Sequence, residues 1–181
     1  MSVYCRHAIH QIEVAVKTIV EMVDRIAEQD LLKRPTPNKH SIGELLEHIA
    51  TICKADSLIA DGASQDRMND YYASQSFENR YQIKEALLHN YQLLKDEFMN
   101  YTEAQLQEEV TAYWGITYSR YEWLLEIVAH IYHHRGQLHA MLVHCYGIDL
   151  KVTLFECEEN ETFILWVPVV FSIGFYLFPN C

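Results

Sequence analysis

Apolar residues recur at helical spacing through four long stretches of this chain, and that repetition restricts the fold more than any other feature. Val3 to Glu28 carries Ile9, Ile12, Val16, Ile19, Val20, Val23, Ile26 and Ala27 with charges between them, the pattern of one long amphipathic helix. It is expected to end before Arg34-Pro-Thr-Pro37, because each proline drives its predecessor out of the α region. Ser41-Ile-Gly-Glu44 has the Ser-x-x-Glu form of a capping box, in which each side chain satisfies a free amide of the first turn. A second helix should run from there to about Ala60. A third spans roughly Phe77 to Tyr101, striped by Ile83, Leu87, Tyr91, Leu94 and Phe98. Ser119-Arg-Tyr-Glu122 is another capping box and opens a fourth, for which Gly147 is a natural stop. Between these stretches, Gly62 through Ser76 reads as a polar surface loop and Thr102-Glu-Ala-Gln105 as a short capped turn. Val110 to Tyr118, rich in aromatic and β-branched residues, reads as an extended connector. Four amphipathic helices joined by loops imply an all-α four-helix bundle, a fold that builds metal sites from side chains on facing helices.

A length of 181 residues suits one domain, and 50% hydrophobic content suffices for a sizeable core. The net charge of −11 repels phosphate backbones, and the cations are scattered with no basic stripe, so nucleic acid is not an expected partner. The five cysteines, Cys5, Cys53, Cys145, Cys157 and Cys181, form no C-x-x-C pair and indicate neither a disulfide framework nor a zinc knuckle. The N-terminus lacks the basic start, apolar run and cleavage site of a signal peptide, so a reducing cytoplasm is the expectation. Phosphate loops, nucleophile elbows and Ser/His/Asp spacings are absent from the sequence.

Chemistry concentrates in Glu126-Ile-Val-Ala-His-Ile-Tyr-His-His-Arg-Gly-Gln137. Four residues advance a helix by roughly 400°, so His130 and His134 project from one side, one turn apart. Trp123, Ile127, His130, His134, Gln137 and Met141 fall on a common face, which is expected to turn the pair inward with the core stripe and leave His139 opposite. His48, in the second helix, offers a third donor. Three neutral imidazoles leave a metal ion at least one open position, the mark of a catalytic site. In a chain with ten histidines such a pair also arises by chance, and the residues alone leave both readings open. Glu44, Glu47 and Glu126 lie within a turn of these histidines and are either orienting carboxylates or solvated charge. Tyr71, Tyr72, Tyr113 and Trp114 either line a substrate mouth or are ordinary loop aromatics. His7 and His10, three apart on the first helix, read as surface residues.

His130-Ile-Tyr-His-His-Arg-Gly-Gln137 resembles the His-x-x-His-His-Arg-Gly-Gln signature of the DinB/YfiT-like family of metal-dependent enzymes. Arg34-Pro-Thr-Pro-Asn-Lys-His-Ser-Ile-Gly-Glu-Leu-Leu-Glu-His48 is similar to the family stretch that ends in its first ligand. The likeness covers about Val3 to Leu154; His40 departs from it, where an aromatic often precedes the capping serine. The resemblance implies that His48, His130 and His134 hold one divalent ion, with His133 a non-ligand neighbour and Arg135 and Gln137 supporting or shaping the site. Zinc and nickel are the first expectations for the metal, although three imidazoles also suit iron and copper. It further implies transfer of a low-molecular-weight thiol, bacillithiol-like, to a small electrophile, because a metal with an open position lowers the pKa of a bound thiol or water. A homodimer is compatible with this reading. The alternative is a non-catalytic helical module that binds a metal, a ligand or another copy of itself.

Residues 1–154 are thus expected to form the bundle domain, and 155–181 an extension of unassigned role. That extension is acidic from Glu156 to Glu161, then apolar and uncharged from Phe163 to Phe178. The apolar run falls short of a usual membrane span and contains Pro168 and Gly174. Packing on the bundle or a partner ranks first for it, a membrane tail second, and an extension from altered reading or termination third.

Overall fold

Serine, threonine and asparagine side chains set where each α-helix after the first begins. A computed structural model describes residues 2–155; the acidic run and the apolar tail lie outside the described residues. Helix α1 spans Val3–Arg25 and is followed by a 3₁₀ turn, Glu28–Leu32. Asp30 closes that turn by accepting from the Ala27 amide at 2.9 Å, so the first helix stops earlier than its apolar spacing suggests. Helix α2, Ile42–Ala60, starts at the expected capping box, with the Glu44 amide donating to Ser41 Oγ at 3.1 Å and the Ser41 amide to Glu44 Oε2 at 2.9 Å. Helix α3, Gln65–Ala73, occupies the stretch expected to be loop. Ser64 caps it, and Met68 is the side chain it buries, against Ala55 and Leu58 of α2.

Helix α4, Arg80–Asn100, begins where Asn79 Oδ1 accepts from the amides of Tyr81 and Gln82. The short α5, Glu103–Leu106, is the capped turn at Thr102. The expected connector is a hairpin: β1, Glu109–Thr111, pairs antiparallel with β2, Thr117–Ser119, so that Val110 faces Tyr118. Helix α6, Arg120–Ala140, follows directly, continues through a π-helical turn at Met141–Cys145 and ends at Gly147, whose φ of 66° lies in the left-handed region that favours glycine.

The four long helices form the bundle. α1 and α2 each pack against both α4 and α6, which places α1 diagonal to α2. Side-chain contacts fix the directions: Glu13 meets Tyr91 while Asp24 meets Lys84, so α1 and α4 are antiparallel. Asn90 reaches Ala50 and Glu97 reaches Ser57, so α2 and α4 are parallel. Ile12, Ile19, Leu45, Ile49, Leu87, Leu94, Phe98, Leu124 and Ile131 fill the shared interior, each at most 1% exposed. Beyond Gly147 the chain continues without helix or strand, Lys151 taking a φ of 55°, and Ile148, Leu150, Val152 and Leu154 pack on the core. Among the described residues no helix is long and apolar enough to cross a membrane.

Candidate metal centre

His48 of α2 meets His130 and His134 of α6 across an antiparallel helix pair. The buried stripe of α6 is Trp123, Leu124, Ile127, Ile131, Arg135 and Leu138, so the two histidines flank the core instead of sharing its stripe as their spacing suggested. All three rings are half-buried at the edge of the α2–α6 seam. That border position is what a reactive centre needs: walls of protein on one side and access on the other.

The three imidazoles converge through the same atom. His48 Nε2 lies 3.1 Å from His134 Nε2 and 3.3 Å from His130 Nε2, and the three donor atoms fall within 4.8 Å of one another. Two nitrogens held about 2.05 Å from one ion at tetrahedral angles are about 3.3 Å apart, so these separations fit a single divalent ion. The outer nitrogens of two of the rings are occupied. His130 Nδ1 lies 2.7 Å from Asp56 Oδ2, and His134 Nδ1 lies 2.9 Å from Gln137 Oε1. Both acceptors draw the ring proton to Nδ1 and leave the Nε2 lone pair facing the cluster, the arrangement in which second-sphere oxygens fix metal-ligating imidazoles.

The electrostatics keep most of the cluster neutral. Burial, then the neighbouring His134 and His130 rings, pushes the His48 imidazole down to about 4. Burial likewise lowers His134 against the opposing effect of Gln137. His130 moves upward, because its hydrogen bond to Asp56 favours the imidazolium over the burial that disfavours it.

Two cavities meet this cluster. One, of about 470 Å³, is lined by His40, Glu47, His48, Thr51, Gln75 and Phe77. The other, of about 250 Å³, lies between Asp56, His130, Glu126 and the aromatic side chains of Tyr113, Trp114 and Trp123. Tyr72, carried by α3, lines both.

Not every residue singled out in the sequence reaches the site. Gln137 supports His134, whereas Arg135 points to the other side of α6, where it donates to Thr18 Oγ1 at 3.3 Å and to the Leu154 carbonyl. Glu44 is bound by Arg34, and Glu47 and Glu126 line the cavities, so the carboxylate that orients an imidazole is Asp56. Asp56 stands eight residues after His48 on the same helix, and only the antiparallel packing of α2 on α6 brings it to His130. Tyr71 packs beside Met68 and is not among the described lining residues of either cavity. His133 is exposed, its ring 4.8 Å from that of His134, and His7 and His10 are exposed on α1.

Comparisons with known proteins agree with this fold. None of the curated proteins matches the chain. A protein from Exiguobacterium sibiricum assigned to the DinB family, solved by crystallography, is similar at 34% identity over 86% of this chain and 99% of its own, with a TM-score of 0.76. A crystallised DinB-like protein from Bacillus subtilis shares the fold at 15% identity, over 83% of this chain and 97% of its own, with a TM-score of 0.64. The profile of the DinB superfamily matches residues 11–138, which take in all three converging histidines. With the profile covering most of the bundle and the bundle matching along nearly the whole length of its relatives, the chain belongs to the DinB superfamily.

Proposed function

We propose that this protein is a metal-dependent enzyme in which His48, His130 and His134 hold one divalent ion, zinc or nickel, and which joins a small thiol of the bacillithiol type to a small electrophile. The observation that carries this reading is the convergence of three Nε2 atoms whose Nδ1 partners, for two of the rings, are already committed to Asp56 and Gln137. A divalent ion held there supplies Lewis acidity that favours the thiolate form of a thiol at neutral pH. The chain's own residues do the rest. Asp56 and Gln137 hold the rings in one tautomer, and the low affinity of His48 for protons leaves its lone pair free at neutral pH. Two cavities, one lined by His48 and the other by His130, provide separate seats for two reactants, with Tyr72 lining both. The net charge of −11 keeps nucleic acid outside the partner set.

Elemental analysis tests the site and thiol consumption tests the reaction. Protein purified without chelator, or reconstituted, is expected to carry about one divalent ion per chain. His48→Ala, His130→Ala and His134→Ala are each expected to lose it, and His139→Ala to keep it. A wild type that takes up no ion overturns the site. A metal-loaded protein that consumes none of a panel of thiols with a model electrophile leaves the second reading, a binding module without turnover.

A further inference from the structure

The 250 Å³ cavity has a composition unlike the rest of the surface. Trp123 forms its floor, 4% exposed, with its indole N–H donating to the Val110 carbonyl at 3.1 Å, and it is thereby fixed to the hairpin. Trp114 stands edge-on to Trp123 with ring centroids 6.0 Å apart, and Tyr113 edge-on to Trp114 at 4.7 Å. Trp114 is nonetheless 49% exposed. Large aromatic side chains are thus held in place by one another and by the hairpin while still offering surface to solvent. The charged side chains at this cavity are Asp56 and Glu126, and no lysine or arginine is among its described lining residues. Fixed aromatic rings attract a cation through their quadrupoles, and two carboxylates reinforce that attraction while repelling an anion.

From this juxtaposition of Trp114, Tyr113 and Trp123 with Glu126 beside the His130–Asp56 pair, we infer that the cavity is the seat of one reactant, a small ring-bearing molecule with a cationic group. Its volume fits a single substituted ring. Treating the occupant as a reactant rests on the metal-enzyme reading above; the selectivity of the cavity does not.

The test is calorimetric titration of the full chain, as purified and after chelator treatment, with two probes of equal ring size and opposite charge, benzyltrimethylammonium and benzylsulfonate, the latter a poor metal ligand. The preference is read on the chelator-treated chain, where no ion at His130 adds its charge. Saturable binding of the cation is expected, at least about fivefold tighter than that of the anion. Trp114→Ala is expected to weaken the cation about fivefold or more. Trp114 is half exposed, and an unchanged circular dichroism spectrum confirms that its loss acts on the cavity. Glu126→Gln is expected to reduce the preference for the cation while leaving benzyl alcohol, the neutral ring, bound as before. Equal affinity for the two charged probes, or a cation affinity indifferent to Trp114→Ala, overturns the inference. Metal content measured on the same samples separates the two readings. Metal-free protein that keeps this selectivity after reconstitution has failed counts against the metal enzyme alone. Protein that carries the ion but lacks the selectivity even after a chelator has removed it counts against the cation seat alone, since the ion's own charge at His130 opposes a cation.

Discussion

Asp56 accepts from His130 Nδ1 at 2.7 Å, and that contact decides which nitrogen of His130 faces the other two rings. Its side chain is 16% exposed, so water competes poorly for the carboxylate. Asp56→Ala therefore frees His130 to rotate and to carry its proton on either nitrogen, and metal affinity is expected to fall by about 10–100-fold. Competition with a chromophoric chelator measures this, and an unchanged affinity would show that Asp56 does not position His130. A second expectation concerns pH and the metal-free protein. His48 has an ordinary imidazole affinity for protons, near about 6.5, once unfolded, and a value of about 4 in the fold, because burial and the adjacent rings disfavour its charge. Between those values the unfolded chain binds a proton that the folded chain refuses, so stability falls as pH falls through that window. His134 adds to the loss, and His130, shifted upward by Asp56, has the opposite sign. Urea midpoints of chelator-treated protein at about pH 7.5 and pH 5 should therefore drop more for the wild type than for His48→Asn. Equal drops for the two proteins would place the acid sensitivity elsewhere.

The elements differ in how plainly the sequence announces them, for physical reasons. α1, α2, α4 and α6 each bury a continuous stripe, and burial of a stripe is what helical periodicity records. The capping boxes at Ser41 and Thr102 add start signals that the structure places as expected. α3 is nine residues long and buries Met68 alone, too little for periodicity to register. Its remaining signals were the Ser64 cap, Asp66 in the first turn, and Tyr71 and Tyr72 placed three and four residues after Met68. The hairpin was half legible: its β propensity was visible, but the pairing of Val110 with Tyr118 depends on a turn at Ala112–Ile116 that carries no Asn-Gly or Asp-Gly signal. Of the site, the three histidines were legible and Asp56 was not, since its relevance comes from the α2–α6 packing and not from its neighbours in sequence. The weak anchoring of α3 yields a prediction. Met68→Ala removes its buried side chain, worth about 2 kcal/mol or more, and among the long helices α3 packs chiefly on α2. The loss should emerge locally: amide exchange in α3 is expected to accelerate about 30-fold or more while that of α4 is unchanged. Uniform acceleration across the bundle would instead make α3 part of the global core.

At the scale of the whole molecule, the chain beyond α6 is tied down by a buried cation. Arg135 is 3% exposed, and its guanidinium lies 4.2 Å from the Tyr132 ring centroid and 5.0 Å from that of Phe155, with hydrogen bonds to Thr18 and to the Leu154 carbonyl. A guanidinium sequestered in this way depends on those acceptors and rings, because water no longer solvates it. The strap from Ile148 to Leu154 supplies the carbonyl and covers apolar core at alternate residues. The four long helices and all three converging histidines, however, precede it. Two truncations separate these contributions. A chain ending at Phe155 retains every contact described here and is expected to keep its helix content, its urea midpoint and its metal. A chain ending at Tyr146 retains the three histidines but loses four half-buried apolar side chains, Ile148, Leu150, Val152 and Leu154, and the carbonyl that Arg135 binds, and it is expected to lose about 2–4 kcal/mol of stability. Circular dichroism, urea titration and metal content of the two products decide the matter. If the chain ending at Phe155 already loses helix or metal, residues 156–181 belong to the bundle, and the division of the chain at 154 is wrong.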